Sequence, residues 1–347
     1  RSTRLPRAIR DVYKRQGYAG GPMYYIDRGL HKPWLGKIFA FLAAVATFGL
    51  GCSVQSNAIA GTLKSSFSIP PFLTAVVITI LTAVVVIGGI QSISKVTEKL
   101  VPFMAAFYIV GGLIIIFANV GNLPGAIHDI FVGAFNPKAV GGGAIGFTIM
   151  TAMRSGISRG VFTNEAGLGS SPIAHATAST DHPTRQGLWG VTEVFLDTFV
   201  VCSITALVIL TSGVLNSGEV DASALVAEAF SMKFTFGRYI VSIGLLLFAF
   251  STILGWEFYG ETSARYLIGS RIGAPYKVLF LIMVFVGCTM KLDLAWEVAN
   301  ILNALMAVPN LIGLIGLSGV VVALEKDFFS DDRLRKSPEE YQHLLKK

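Results

Sequence analysis

Charge is what this sequence has least of. Asp, Glu, Lys and Arg make up 14% of its 347 residues, against 53% hydrophobic ones, where an ordinary soluble domain carries about a quarter charged residues. That shortage, with a mean hydropathy of +0.64, excludes a soluble globular protein. Cysteine is nearly missing too: Cys52, Cys202 and Cys288 all fall in apolar runs, at spacings that match neither a disulfide framework nor a zinc site. They read as small buried hydrophobes. The five histidines (31, 128, 175, 182 and 343) are scattered and no H-E-x-x-H occurs, so metal chemistry has no support. No histidine pairs with a serine at depth in a way that suits an intramembrane protease. Residues 1–16 are basic and polar, without the apolar stretch of a signal peptide.

What the chain does have is long apolar runs. Eight are long enough to cross a bilayer, which takes about 20 residues; they lie near 38–62, 72–93, 101–118, 143–177, 188–213, 238–268, 276–291 and 298–324. Threading the chain alternately through a membrane puts 1–37, 91–100, 178–187, 264–277 and the tail from 325 on one side. Those regions hold 21 of the 28 Lys and Arg, and the opposite loops hold five. By the positive-inside rule the richer side is cytoplasmic, and both ends of this chain lie there. The net charge of +7 is therefore a topology signal rather than a nucleic-acid patch.

The domain reading is a membrane transport domain over 17–324, followed by a charged cytoplasmic tail at 325–347. The segment RSTRLPRAIRDVYKRQ at 1–16 bears no relation to the pattern after Gly17. It is expected to be a non-native, adapter-like stretch or else a disordered basic arm.

The segment at 143–177 is the anomaly. RGVFTNEAGLGSSPIAHA at 159–176 places a glutamate, an asparagine and several hydroxyls inside an apolar run that carries glycines at 141, 142, 143, 146, 156, 160, 167 and 169. Irregular backbone survives at bilayer depth only where it lines a cavity or is buried in protein. A Gly-interrupted span is the best sequence pointer to the site of a secondary transporter. The break is expected at Asn164, Glu165, Gly167 and Gly169, where two half-helix ends offer opposite partial charges to a cation and a carboxylate. The alternative is that the glycines serve close helix packing. Glu165 either pairs with Arg159, caps a freed amide, or carries a proton. The G-L-G-S-S run lacks the strand and lysine of a phosphate loop.

In FAFSTILGWEFYGE at 248–261, Thr252 and Trp256 are four apart and share a helix face, with Ser251 one position round. Adjacent hydroxyls suit a small cation, and a tryptophan one turn on could wall a substrate pocket. The plain alternatives are a Ser-Thr pair bonding its own helix carbonyls and a tryptophan that only packs. Two carboxylate pairs, Glu193 with Asp197 and Glu257 with Glu261, stand at i,i+4 near inner helix ends. They either relay protons or bond Arg185, Arg265 or backbone to position a gate. Gln55 and Asn57 in GLGCSVQSNAIA are either helix glue or substrate contacts.

Five motifs in order, GGPMYYIDRGL at 20–30, RGVFTNEAGLGSSPIAHA at 159–176, QGLWGVTEVFLDTFVVCSITAL at 186–207, FAFSTILGWEFYGE at 248–261 and NALMAVPNLIGLIGLS at 303–318, resemble the alanine or glycine:cation symporters. The likeness runs from Gly17 to about Leu324. It implies an all-α polytopic membrane protein with the inverted-repeat fold of leucine-transporter-like amino-acid symporters. The implied activity is Na+-coupled uptake of alanine or glycine across a bacterial or archaeal inner membrane, by alternating access and with no enzymatic step. It further implies no cofactor, Na+ as coupling ion, no metal beyond it, no nucleic-acid partner and a monomeric carrier.

On that resemblance the segment at 143–177 leads the second repeat, and the first repeat is expected to be incomplete. The family's other broken helix, with its G-N-I-A-G-type motif, has no counterpart in residues 1–37, so the chain reads as N-terminally truncated. Carried over by motif, Ser251 and Thr252 would bind the cation, and Trp256 would close over the substrate's side chain. Phe162, Thr163 and Asn164 would meet the amino group and body of the substrate, and Gln55 its carboxylate. Serine stands at 171 where alanine is commoner and threonine at 163 where serine is; both changes are expected to be tolerated. A proton-coupled carrier or an inactive fragment is the alternative. A channel would show a polar stripe along several helices, which is absent here, and a purely structural role leaves the polar break unexplained.

Overall fold

Proline and glycine punctuate the apolar sequence, and the computed structural model follows that punctuation. It describes residues 19–135, 156, 165, 167–180, 182–216, 225–290 and 292–330, which contain helices and no strands. Proline in a first turn forfeits no hydrogen bond and presets φ. It stands at the start of α1 (Pro22–Gly29), α2 (Pro33–Phe67), α3 (Pro71–Ile87), α6 (Ser171–His175) and α7 (Pro183–Ser212). The remaining helices are α4 (Gly89–Ala118), α5 (Leu123–Phe135), α8 (Leu225–Ser231), α9 (Gly237–Ile268), α10 (Gly273–Gly287), α11 (Leu292–Gly316) and α12 (Ser318–Ser330).

Among the described residues, six stretches are long and apolar enough to cross a membrane: Pro33–Phe67, Gly89–Ala118, Pro183–Ser212, Gly237–Ile268, Ser270–Gly287 and Ala299–Gly316. α3, a shorter apolar helix, has 17 residues, or about 26 Å at 1.5 Å per residue, close to the thickness of a hydrocarbon core. The protein is a multi-pass membrane protein. Seven of the eight expected spans match these helices. Most of the eighth, 143–164 apart from Gly156, lies outside the described residues, as do 1–18 and the tail from 331.

Two boundaries differ from the sequence reading. The run expected at 72–93 stops at Ile87, and the helix expected from 101 starts at Gly89. Gly89 has φ +66°, a conformation that favours glycine, so the chain turns there and QSISKVTEK becomes the first turns of α4 instead of a loop. The last span, expected to run to 324, ends at Gly316, and α12 takes up the chain from Ser318 through the first residues of the expected tail. A Cβ on Gly316 would meet the Leu30 side chain at 2.7 Å. The end of α1 therefore packs into the joint between α11 and α12.

α9 is the centre of the bundle, packed against α2, α4, α8 and α10. Small residues let it come close: Ala40, Ala43 and Ala46 of α2 are buried, and a Cβ on Gly51 would lie 2.4 Å from Trp256 Cβ. Without a hydrophobic drive between helices in lipid, such close packing holds the bundle together. Large apolar side chains face outward, among them Phe72, Ile80 and Val84 of α3, Phe103 and Phe117 of α4, and Phe195 and Phe199 of α7. Two helices contain a π-helical stretch, Thr47–Ser53 in α2 and Phe195–Val201 in α7. Such wide turns collect at functional sites, and the first of them carries Gly51 onto Trp256.

Candidate functional site

Of the four residues at which the break is expected, Glu165, Gly167 and Gly169 are described. Gly167 and Gly169 have φ of +92° and +93°, and α6 restarts helix at Ser171 with proline in its first turn. Gly169 is fixed by space as well as by dihedral angle: a Cβ there would meet Pro22 Cγ at 2.6 Å and Asn310 Cγ and Phe39 Cε2 at 2.9 Å. The carbonyl that the break frees at Gly167 accepts from Asn310 Nδ2 at 2.8 Å. Tyr25 in turn donates its hydroxyl to Asn310 Oδ1. Burial pushes the Tyr25 phenol above the ordinary tyrosine range, so it stays a donor. This end of the break is thus clamped between α1, α2 and α11. Phe162, Thr163 and Asn164 lie outside the described residues.

Glu165 accepts from Ser170 Oγ at 2.8 Å and Ser171 Oγ at 3.1 Å, and the Tyr259 hydroxyl stands close to it. Two hydroxyls therefore serve the carboxylate; Arg159, one of its expected partners, lies outside the described residues. Tyr259 also lines a 280 Å³ cavity with Ser171, Ala174, His175, Gln186 and Glu193. There Gln186 Nε2 donates to His175 Nδ1 at 2.6 Å, which leaves the ring proton on Nε2 to reach Glu193 at 3.1 Å. Of the expected partners for Glu193, the histidine of α6 takes the place of Arg185, whose guanidinium lies over the Phe328 ring of α12.

The mid-helix constellation on α9 is differently arranged. Ser251 Oγ and Thr252 Oγ1 both donate to the Phe248 carbonyl, at 2.8 and 2.9 Å. Ser251 Oγ also lies 3.8 Å from Met104 Sδ of α4. Donating their protons leaves the lone pairs of both oxygens unspent, which is what a cation ligand needs. Trp256 is 2% exposed, set against Gly51 and edge-on to the Tyr259 ring at 5.5 Å. Gln55, on the turn after Gly51, is half-buried and bonds no other described residue. Seven residues separate Thr252 from Tyr259, so the Glu165 cluster sits about 10 Å farther along α9. The structure brings Trp256, Gly51 and Tyr259 together, with Glu165 near Tyr259. It sets Gly167 and Gly169 against Pro22, Phe39 and Asn310 rather than against the hydroxyl pair.

The open alternatives for the other polar residues separate. Asn57 is helix glue: its Nδ2 donates to the Gly287 and Met290 carbonyls at 3.0 and 2.7 Å. Glu261 holds Arg265 at 2.7 Å and Lys277 at 3.6 Å. Its i−4 neighbour Glu257 is fully buried, and among the described residues neither of its oxygens has a hydrogen-bond partner.

Sequence reasoning missed the Tyr25–Asn310 clamp and the His175–Glu193 contact. A signal for the first was available, since Asn310 follows a proline inside an apolar helix, and a buried amide there must find a partner. The second joins α6 to α7 across a turn, and scattered histidines give no hint of it.

Residues 5–342 match the model of a family described as the sodium:alanine symporter family. The chain is 48% identical over 317 residues to a sodium/alanine symporter of Methanococcus maripaludis, covering 89% of this chain and 69% of that protein. It is 45% identical over 314 residues to an uncharacterized transporter of Haemophilus influenzae, covering 90% and 69%. A probable sodium/glutamine symporter of Bacillus subtilis is 34% identical over 340 residues, covering 97% and 70%.

Proposed function

The chain belongs to the sodium:alanine symporter family, a family of transporters and not of enzymes, and from that premise we propose that it couples Na+ entry to the uptake of alanine or glycine. Amino-acid:cation symport is the activity that the family and its relatives support. The finer reading rests on α9: a mid-span hydroxyl pair, Ser251 and Thr252, stands one turn from a buried tryptophan that a glycine of α2 admits. The two hydroxyls bind Na+ through their free lone pairs. Trp256 closes the pocket and limits it to a small side chain. Phe162, Thr163 and Asn164 meet the substrate's amino group and body, and Gln55 reaches its carboxylate.

The fold is of the inverted-repeat, leucine-transporter-like kind, with 143–177 leading the second repeat. The carrier acts as a monomer in a bacterial or archaeal cytoplasmic membrane, with both ends of this chain inside. Na+ favours the substrate-competent state because it binds that state more tightly. The bundle then rocks around the midplane site.

Uptake of labelled alanine into liposomes containing the protein should require an inward Na+ gradient. Equal uptake in choline with a pH gradient would transfer the coupling to protons. Trp256→Ala should admit larger amino acids, and an unchanged substrate profile would remove Trp256 from the pocket.

A further inference from the structure

Among the charged groups of α9, Glu257 is the one that the symport reading leaves without a task. It is 0% exposed, with no hydrogen-bond donor at either oxygen among the described residues. The cations within reach are engaged elsewhere. Arg265 grips Glu261 with Nη2 at 2.7 Å and Nε at 3.1 Å. Lys277 stands 3.6 Å from Glu261 and donates to the Val86 carbonyl at 2.8 Å. The arrangement is built in. A Cβ on Gly273 would lie 2.7 Å from Arg265 Nη2 and 2.8 Å from Glu261 Oε1, so the pair packs directly against the start of α10.

The charged groups that act on Glu257 are Glu261 and Arg265 from its own helix and Lys277 from α10. Tyr276 of α10 stands beside it, but its hydroxyl already donates to the Ala44 carbonyl at 2.7 Å. Cys52 of α2 acts on Tyr276 and points its thiol at the Phe48 carbonyl. From α1, Asp27 accepts from Tyr266 at 2.9 Å. Glu165 and Glu193, on the α6 and α7 side, act on Tyr259.

A lone carboxylate in such surroundings is strongly disfavoured, and a proton removes its charge. A route for the proton is at hand. A 680 Å³ cavity lined by Tyr24, Gln91, Glu261, Thr262, Arg265 and Lys277 reaches Glu261, one helical turn from Glu257, or about 6 Å along the axis. Its walls come from segments on the Lys- and Arg-rich side.

We propose that Glu257 is a proton-binding site of this carrier, filled and emptied through that cavity. On release, the carboxyl O–H bond breaks and the proton leaves to the water of the cavity. The charge left behind draws the Lys277 ammonium from the Val86 carbonyl. Proton occupancy is thereby linked to the joint between α3 and α4, where Val86 precedes the Gly88–Gly89 turn. The role of this proton in transport rests on the symport reading; the site itself does not.

Infrared difference spectroscopy of the purified full chain tests it without a transport assay. The spectrum of the wild type minus that of E257Q at neutral pH should contain the C=O stretch of a protonated carboxyl. That band should shift in D2O and bleach reversibly as the pH is raised. Its absence at neutral pH, or a band indifferent to alkali, overturns the proposal. A band that bleaches on adding NaCl at fixed pH overturns it in favour of Na+ as the occupant. If E257Q does not fold, E257D takes its place and should displace the band; an unmoved band has the same adverse meaning. In liposomes, the pH dependence of uptake should flatten in E257Q. Uptake absent at every pH would count against the symport reading and leave the infrared result standing.

Discussion

Two carboxyls stand on different sides of α9 and are treated in opposite ways. Glu165, half-buried beside Gly167, takes hydroxyls from Ser170 and Ser171. Glu257, fully buried, takes none among the described residues, and its neighbours Arg265 and Lys277 are held by Glu261. Hydroxyls satisfy a carboxylate without adding charge and so hold a turn in place. A carboxyl without donors is stable only with a proton or a partner that arrives from elsewhere. The first site is a fixture of the fold. The second is poised to exchange.

The largest effect should come from undoing the fixture. Gly169→Ala imposes a side chain at φ +93° and within 2.9 Å of three residues. Strain of about 1–3 kcal/mol adds to overpacking of about 1–3 kcal/mol. The variant should lose most of its folded, monodisperse fraction in detergent, and an unchanged melting temperature would show that the turn is not locked. Asn310→Ala comes next. It leaves the Gly167 carbonyl and the Tyr25 hydroxyl unpaired, at about 1–3 kcal/mol for each buried group, and thermal unfolding should show the larger share of that loss to be absent in Tyr25→Phe.

The comparison itself is decided by a matched pair. Glu165→Ala strips two hydroxyls of their acceptor and should lower stability by about 1–3 kcal/mol, whereas Glu257→Gln, neutral and of the same shape, should stay within about 0.5 kcal/mol of the wild type or exceed it. Equal losses in chemical or thermal melts would erase the distinction between the two sites. The smallest effect belongs to Glu193→Gln. Its side chain is 55% exposed and bonded to His175, so a stability change beyond about 0.5 kcal/mol would mean that the contact supports the Glu165 cluster after all.

Much of this was legible in the chain. The sequence foreshadowed the positive φ of Gly167 and Gly169, because glycines beside a glutamate in an apolar run suit irregular backbone. Arg265 was legible as one candidate partner of the Glu257 and Glu261 pair, but not which of the two acids it would hold. Helix periodicity also put Thr252 and Trp256 on one face, but not the direction in which the hydroxyls point, since a serine or threonine in a helix has its own carbonyls within reach. The fate of Asn57 depended on the end of α10, more than two hundred residues away. Glu257 and Glu261 were indistinguishable in sequence, both acids on one face near basic neighbours.

Composition and pattern by themselves determined that this chain lives in a membrane and crosses it several times, because hydrophobic length is a local quantity. The motifs in their order determined the family. Only the tertiary structure decided that the break is clamped by Tyr25 and Asn310, and that of two neighbouring acids one keeps both cations while the other has no donor. Satisfaction of a buried polar group depends on which side chains the packing brings within about 3 Å. No spacing along one chain segment contains that information.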